Sequence, residues 1–107
     1  MIVLVHAMTA AAAAADCPFP SDNARSIPAK RDLPSAVTQF LGDMADKGEP
    51  FQAGDLIPMG RPPLARFMSA EGRGCDLVVE HEHGGRFYSK RTTRLRFNAG
   101  EWIVVSQ

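Results

Sequence analysis

Fifteen residues pass before the first charge. Met1 to Ala15 contains no Asp, Glu, Lys or Arg, and Asp16 is the first charged side chain. Ile2, Val3, Leu4, Val5 and Met8 form an apolar run, and an alanine tract from Ala10 to Ala15 follows it. A short apolar stretch ending in small residues has the form of an export signal with an Ala-x-Ala cleavage site, here Ala13 and Ala15. It is shorter than the roughly 20 apolar residues that a membrane span needs. No basic residue precedes the run, which is the element an export signal normally adds. The competing reading is an alanine-rich helix opening a cytosolic protein. A lipoprotein anchor fits poorly, because Asp16 stands directly before Cys17 where a small residue is required. The expectation is therefore a signal peptide over 1–15 and a periplasmic or secreted mature protein.

Cleavage leaves about ninety residues, a domain that buries only about 60–65% of its unfolded surface and gains from a cross-link. The chain has two cysteines, Cys17 and Cys75, and no Cys-x-x-Cys spacing. In an oxidising compartment the natural reading is one disulfide. A loop of that length is worth about 4 kcal/mol on the chain-entropy argument. With 45% apolar and 22% charged residues and a net charge of zero, the chain is ordinary globular material. No bulk field draws it to nucleic acid or an anionic membrane.

Local signals divide the remainder. Residues 16–33 read as an arm, since Pro18, Pro20 and Pro28 exclude regular helix. Leu33, Val37, Phe40, Leu41 and Met44 lie on one helical stripe, with Asp32 as a possible cap and Gly48 and Pro50 as a stop. This predicts a helix over 34–47 within a single domain spanning 34–107. Phe51 to Ile57 is a short edge strand or irregular. Leu64 to Ser69, Asp76 to His83, Arg86 to Phe97 and Glu101 to Ser106 read as strands. Turns are expected at 71–74, Gly84–Gly85 and Asn98–Gly100.

A three-residue loop at 83–85 sets Glu82 against Arg86 and His81 against Phe87. Leu77, Val79, His81, Phe87, Leu95 and Phe97 then share an apolar face. Asp76, Val78, Glu80, Glu82, Arg86, Tyr88, Lys90 and Arg94 share a charged one. In the last hairpin Phe97 faces Trp102, an aromatic cross-strand pair. The fold class expected is α+β: one N-terminal amphipathic helix, contributing Val37, Phe40, Leu41 and Met44, packed on a curved antiparallel meander of about four strands. That element order resembles the layout of cystatin-like domains, which include ketosteroid-isomerase-like pocket proteins and protease inhibitors. The resemblance is of layout alone and carries no motif.

Four constellations carry possible chemistry. His81 and His83 project to one side of a strand about 7 Å apart, a spacing for Zn²⁺, Ni²⁺ or Cu²⁺. Their only histidine companion is His6, and the alternative is a polar hairpin tip. His81, Asp55 and Tyr88 are candidates for acid–base work in a pocket, against the plainer reading of a partly buried histidine. Arg86, Tyr88, Lys90, Arg94 and Arg96, with Arg91 in the same run, make a basic sheet face that suits an envelope protein or an anionic polymer, or else is merely solvated. Ser69, Ser89 and Ser106 lack the context of an activated nucleophile, and no glycine-rich phosphate loop is present. No cofactor, nucleic acid or stable membrane span is expected. The best reading is a small exported, non-enzymatic binding or inhibitor-type protein. The alternatives are a pocket protein or enzyme, or metal binding at His81 and His83.

Overall fold

The computed structural model describes residues 16–54 and 62–107. The expected signal peptide, Asp55 and most of the loop before Pro62 lie outside those residues. Five strands form one antiparallel sheet in the order β1 (Arg25–Ile27), β2 (Ala65–Arg73), β3 (Asp76–His83), β4 (Ser89–Asn98) and β5 (Glu101–Ser106). One helix, α1 (Ser35–Leu41), lies between β1 and β2.

Two expectations about architecture are corrected. The helix is not the first element, and the strands number five rather than four. β1 comes from the proline-containing arm and pairs with Ala70, Glu71 and Gly72 of β2, burying Ile27. Three residues between Pro20 and Pro28 are too few for alternation to announce a strand. The helix spans 35–41 instead of 34–47. Gly42 ends it at φ 78°, a left-handed conformation that favours glycine. Asp32 does not cap it, because Lys30–Asp32 forms a separate 3-10 turn. The chain beyond Gly42 extends to pair with the sheet. Ala45 donates to Ala65 O at 2.9 Å and accepts from Phe67 N at 2.8 Å. Met44 therefore reaches the core from extended backbone. Phe40, expected in the core, is 48% exposed.

The strand faces follow the predicted parity although the register moves. Glu82 pairs with Lys90 and His81 with Arg91, while Leu77 pairs with Leu95. A shift of four residues along β4 is even, so each side chain keeps its face. The displacement arises at the glycines. Gly84 N donates to Leu64 O and Gly85 N to Gln52 O, which opens a five-residue loop over 84–88. Phe87, expected on the apolar face, stands 80% exposed on that loop. The turn predicted at 71–74 lies two residues later, at 73–76, because β2 continues to Arg73 and pairs there with Asp76. Gly72 is a strand residue whose missing Cβ admits the Phe19 ring. Phe97 does pair with Trp102, with ring centroids 5.3 Å apart. The hairpin behind them turns on Ala99 and Gly100, both at positive φ.

Val37, Phe67, Leu77, Val79 and Leu95 fill the centre, each at most 2% exposed. Phe19, Leu41 and Trp102 pack at its margin. Cys17 and Cys75 are disulfide-bonded, Cα to Cα 4.6 Å, and tie the arm to the β2–β3 turn. Phe19 N donates to Gly74 O and Gly74 N to Pro20 O beside that link.

Candidate functional site

Two regions collect the chemically distinctive side chains. The first is the outward side of β4 together with β5. Lys90, Arg94 and Arg96 alternate outward along β4. Arg86 and Tyr88 are not on that strand but in the 84–88 loop, so the five-residue basic face divides into a stripe of three and a loop of two. Arg96 Nε meets Asp76 Oδ1 at 3.0 Å, with both side chains more than half exposed. Such a pair contributes little to stability. Arg94 lies between Val78 of β3 and Ser106 of β5 and has no ion pair among the described residues. Acidic residues occupy the other half of this face. Glu71 and Glu80 border a shallow depression with Ser26, Ser69 and Val78.

β5 is one edge strand of the sheet, and the three-residue β1 is the other. Along β2, β1 and then Ala45 cover that side. β5 has β4 on one side and no strand on the other among the described residues. Ile103, Val104 and Val105 are 44%, 36% and 53% exposed. Ile103 stands opposite Arg96, and Val104 opposite Leu95. The register shifts past Val104, leaving Val105 as a bulge that limits the regular edge to its first half.

Glu82 belongs to a closed cluster beside the basic stripe. Arg66 Nε donates to Glu82 Oε2 at 2.8 Å, and the Tyr88 hydroxyl donates to Oε1 at 2.6 Å. The Arg66 guanidinium lies 4.2 Å from the Phe51 ring centroid and donates to Glu49 O. Glu82, expected to face Arg86 on an open surface, is buried by these groups. The Tyr88 hydroxyl, and then Arg66, hold its carboxyl below the ordinary range, while the bond to Glu82 raises the Tyr88 hydroxyl.

The second region is a crevice of about 110 Å³ lined by Phe40, Leu41, His81, His83, Arg91, Thr93 and Gln107. His81 Nδ1 and His83 Nε2 face each other at 2.7 Å, and His81 Nε2 lies 2.8 Å from Thr93 Oγ1. His81 is 5% exposed. Burial pushes its imidazole down to about 4, helped by His83 and Arg91. Burial and then Arg91 lower His83 as well. Both shifts favour the neutral imidazoles. No cluster of three or more His, Cys, Asp or Glu side chains converges on a point among the described residues.

A ligand cavity between helix and sheet would have to lie where Val37, Met44, Phe67 and Leu95 now pack. The crevice at His81 is well under the roughly 300 Å³ of an ordinary small-molecule pocket. Of the proposed acid–base set, His81 and Tyr88 are not brought together: Tyr88 is engaged with Glu82, and His81 with Thr93 and His83. Sequence reading missed Arg66 and Thr93. Thr93 shares the parity of His81 and was accessible from a correct register. Arg66 gave no signal, because nothing local marks an arginine that pairs with a carboxylate sixteen residues away.

Among the described residues no helix is long and apolar enough to cross a membrane. No protein family, curated protein or solved structure matches this chain.

Proposed function

We propose that this chain is a small exported binding domain of inhibitor type, not an enzyme, whose partner is an acidic extended segment of an envelope protein. The observation that carries this reading is the open edge of β5. Its backbone can accept a further strand, and main-chain pairing of that kind supplies affinity without a deep pocket. Ile103 and Val104 offer apolar contact on the two faces of that edge. Arg94 and Arg96 lie one strand away, with Lys90 further along β4 beyond the end of β5, and favour carboxylates on the incoming segment. The disulfide suits an oxidising compartment and holds a domain with a small core.

The test is fluorescence anisotropy with a short labelled peptide alternating threonine and glutamate, set against one alternating threonine and lysine. Saturable, salt-sensitive binding of the glutamate peptide alone supports the reading. Equal binding of both, or of neither, overturns it. Binding of a heparin-type polyanion in place of the peptide moves the assignment to an anionic polymer.

A further inference from the structure

The outward sheet face leaves one arrangement unused. On the opposite face, His81 Nδ1 and His83 Nε2 point at one another within the small crevice. A hydrogen bond between two imidazoles aligns two nitrogen lone pairs about a single proton. In the tautomer in which His81 Nε2–H donates to Thr93 Oγ1, Nδ1 is bare and His83 Nε2 carries the shared proton. A ligating histidine typically has its other ring nitrogen fixed by a hydrogen bond in this way.

We propose that the facing ring nitrogens of His81 and His83 form a two-coordinate site for a soft monovalent cation of the copper(I) type. The cation takes the place of the shared proton. His83 keeps one proton by shifting it to Nδ1, so binding to the neutral pair releases none. Metal–imidazole bonds are about 2 Å long, so an in-line ion spreads the two nitrogens to about 4 Å. His81 is fixed by Thr93 and the core. His83, at the end of β3 and half-buried, is the ring that moves into the crevice. Imidazole is a good ligand for copper. A monovalent d¹⁰ ion is satisfied by two ligands in line. Zinc asks for four, and the described residues bring no third carboxylate, thiolate or imidazole to this point. The Arg91 guanidinium lines the same crevice and opposes a dication more than a monocation.

The test uses Ag⁺ as a redox-stable probe, with the disulfide intact so that no thiol competes. Isothermal titration is read together with imidazole ¹⁵N shifts. One equivalent should bind, moving the resonances of both His81 Nδ1 and His83 Nε2. His83→Gln, at a half-buried position, should abolish that equivalent while the melting temperature stays near that of the parent. Thr93→Val should weaken binding about tenfold. Zn²⁺ should bind far more weakly than Ag⁺. Silver binding that persists in His83→Gln, or a parent that binds no stoichiometric silver, overturns the site. A preference for Zn²⁺ overturns the two-coordinate assignment.

Discussion

Arg66 and Glu82 meet across the β2–β3 pair, Nε to Oε2 at 2.8 Å, on backbone positions that are themselves register partners. The carboxylate is mostly buried and its second oxygen is taken by Tyr88. Removing one partner of such a pair leaves the other charge desolvated. Glu82→Gln should therefore cost about 2 kcal/mol in urea denaturation. Tyr88→Phe should cost less and let the Glu82 carboxyl rise toward its ordinary range by carbon NMR. Equal stability of Glu82→Gln and the parent contradicts the cluster.

Acid should unfold the metal-free protein through His81. Its folded pKa of about 4 lies below the ordinary 6.5, so the unfolded chain takes up the proton first. The stability from this group is complete above pH 6.5 and is lost progressively as the pH falls toward 4. His83 is shifted the same way. Glu82, held below its ordinary value, withdraws its own contribution at still lower pH. Between pH 7 and 4 the loss should be on the order of 2–3 kcal/mol. His81→Gln should flatten the slope. A urea midpoint that does not change over this range contradicts the assignment.

Reducing the Cys17–Cys75 bond, which closes a separation of 58 residues, should cost about 4 kcal/mol. Trp102 is the only tryptophan, and its ring centroid lies 6.3 Å from that of Phe19. Its fluorescence therefore reports release of the arm. An emission spectrum and denaturation midpoint insensitive to reductant contradict the link.

Glycine at 72 is required by packing rather than by backbone conformation. A methyl group there meets the Phe19 ring. Gly72→Ala should lower stability by about 1–3 kcal/mol. Gly54→Ala, where no atom of the described residues lies within 4 Å of the added carbon, should be close to neutral. Comparable melting temperatures for the two variants contradict this account.

These same residues mark how far the sequence could be read. Parity along β3 and β4 was legible, because Leu77, Val79 and Leu95 alternate with charges and an even slip preserves faces. The pairing of Phe97 with Trp102 was legible for the same reason, with a hairpin signal between them. Loop length at 84–88 was not, since it depends on Leu64 and Gln52 accepting from the two glycines. Gly72 resembled a turn because a glycine kept for a neighbour's ring looks in one dimension like a glycine kept for φ. The helical stripe ran on to Met44, yet pairing of Ala45 with β2 ended the helix first. Of the candidate site, the basic residues were visible by composition. Their division between β4 and a loop, and the open edge beside them, needed the register.

Amide hydrogen exchange on β5, with and without the threonine–glutamate peptide, tests the binding surface most directly. The account predicts added protection at residues 102–104 and its loss in Arg94→Glu, whose exposed position should leave stability within about 0.5 kcal/mol of the parent. Protection confined to the separate surface groove that Lys30, Thr38, Asp46 and Glu49 line beside α1, or undiminished protection in Arg94→Glu, would place the partner elsewhere and contradict it.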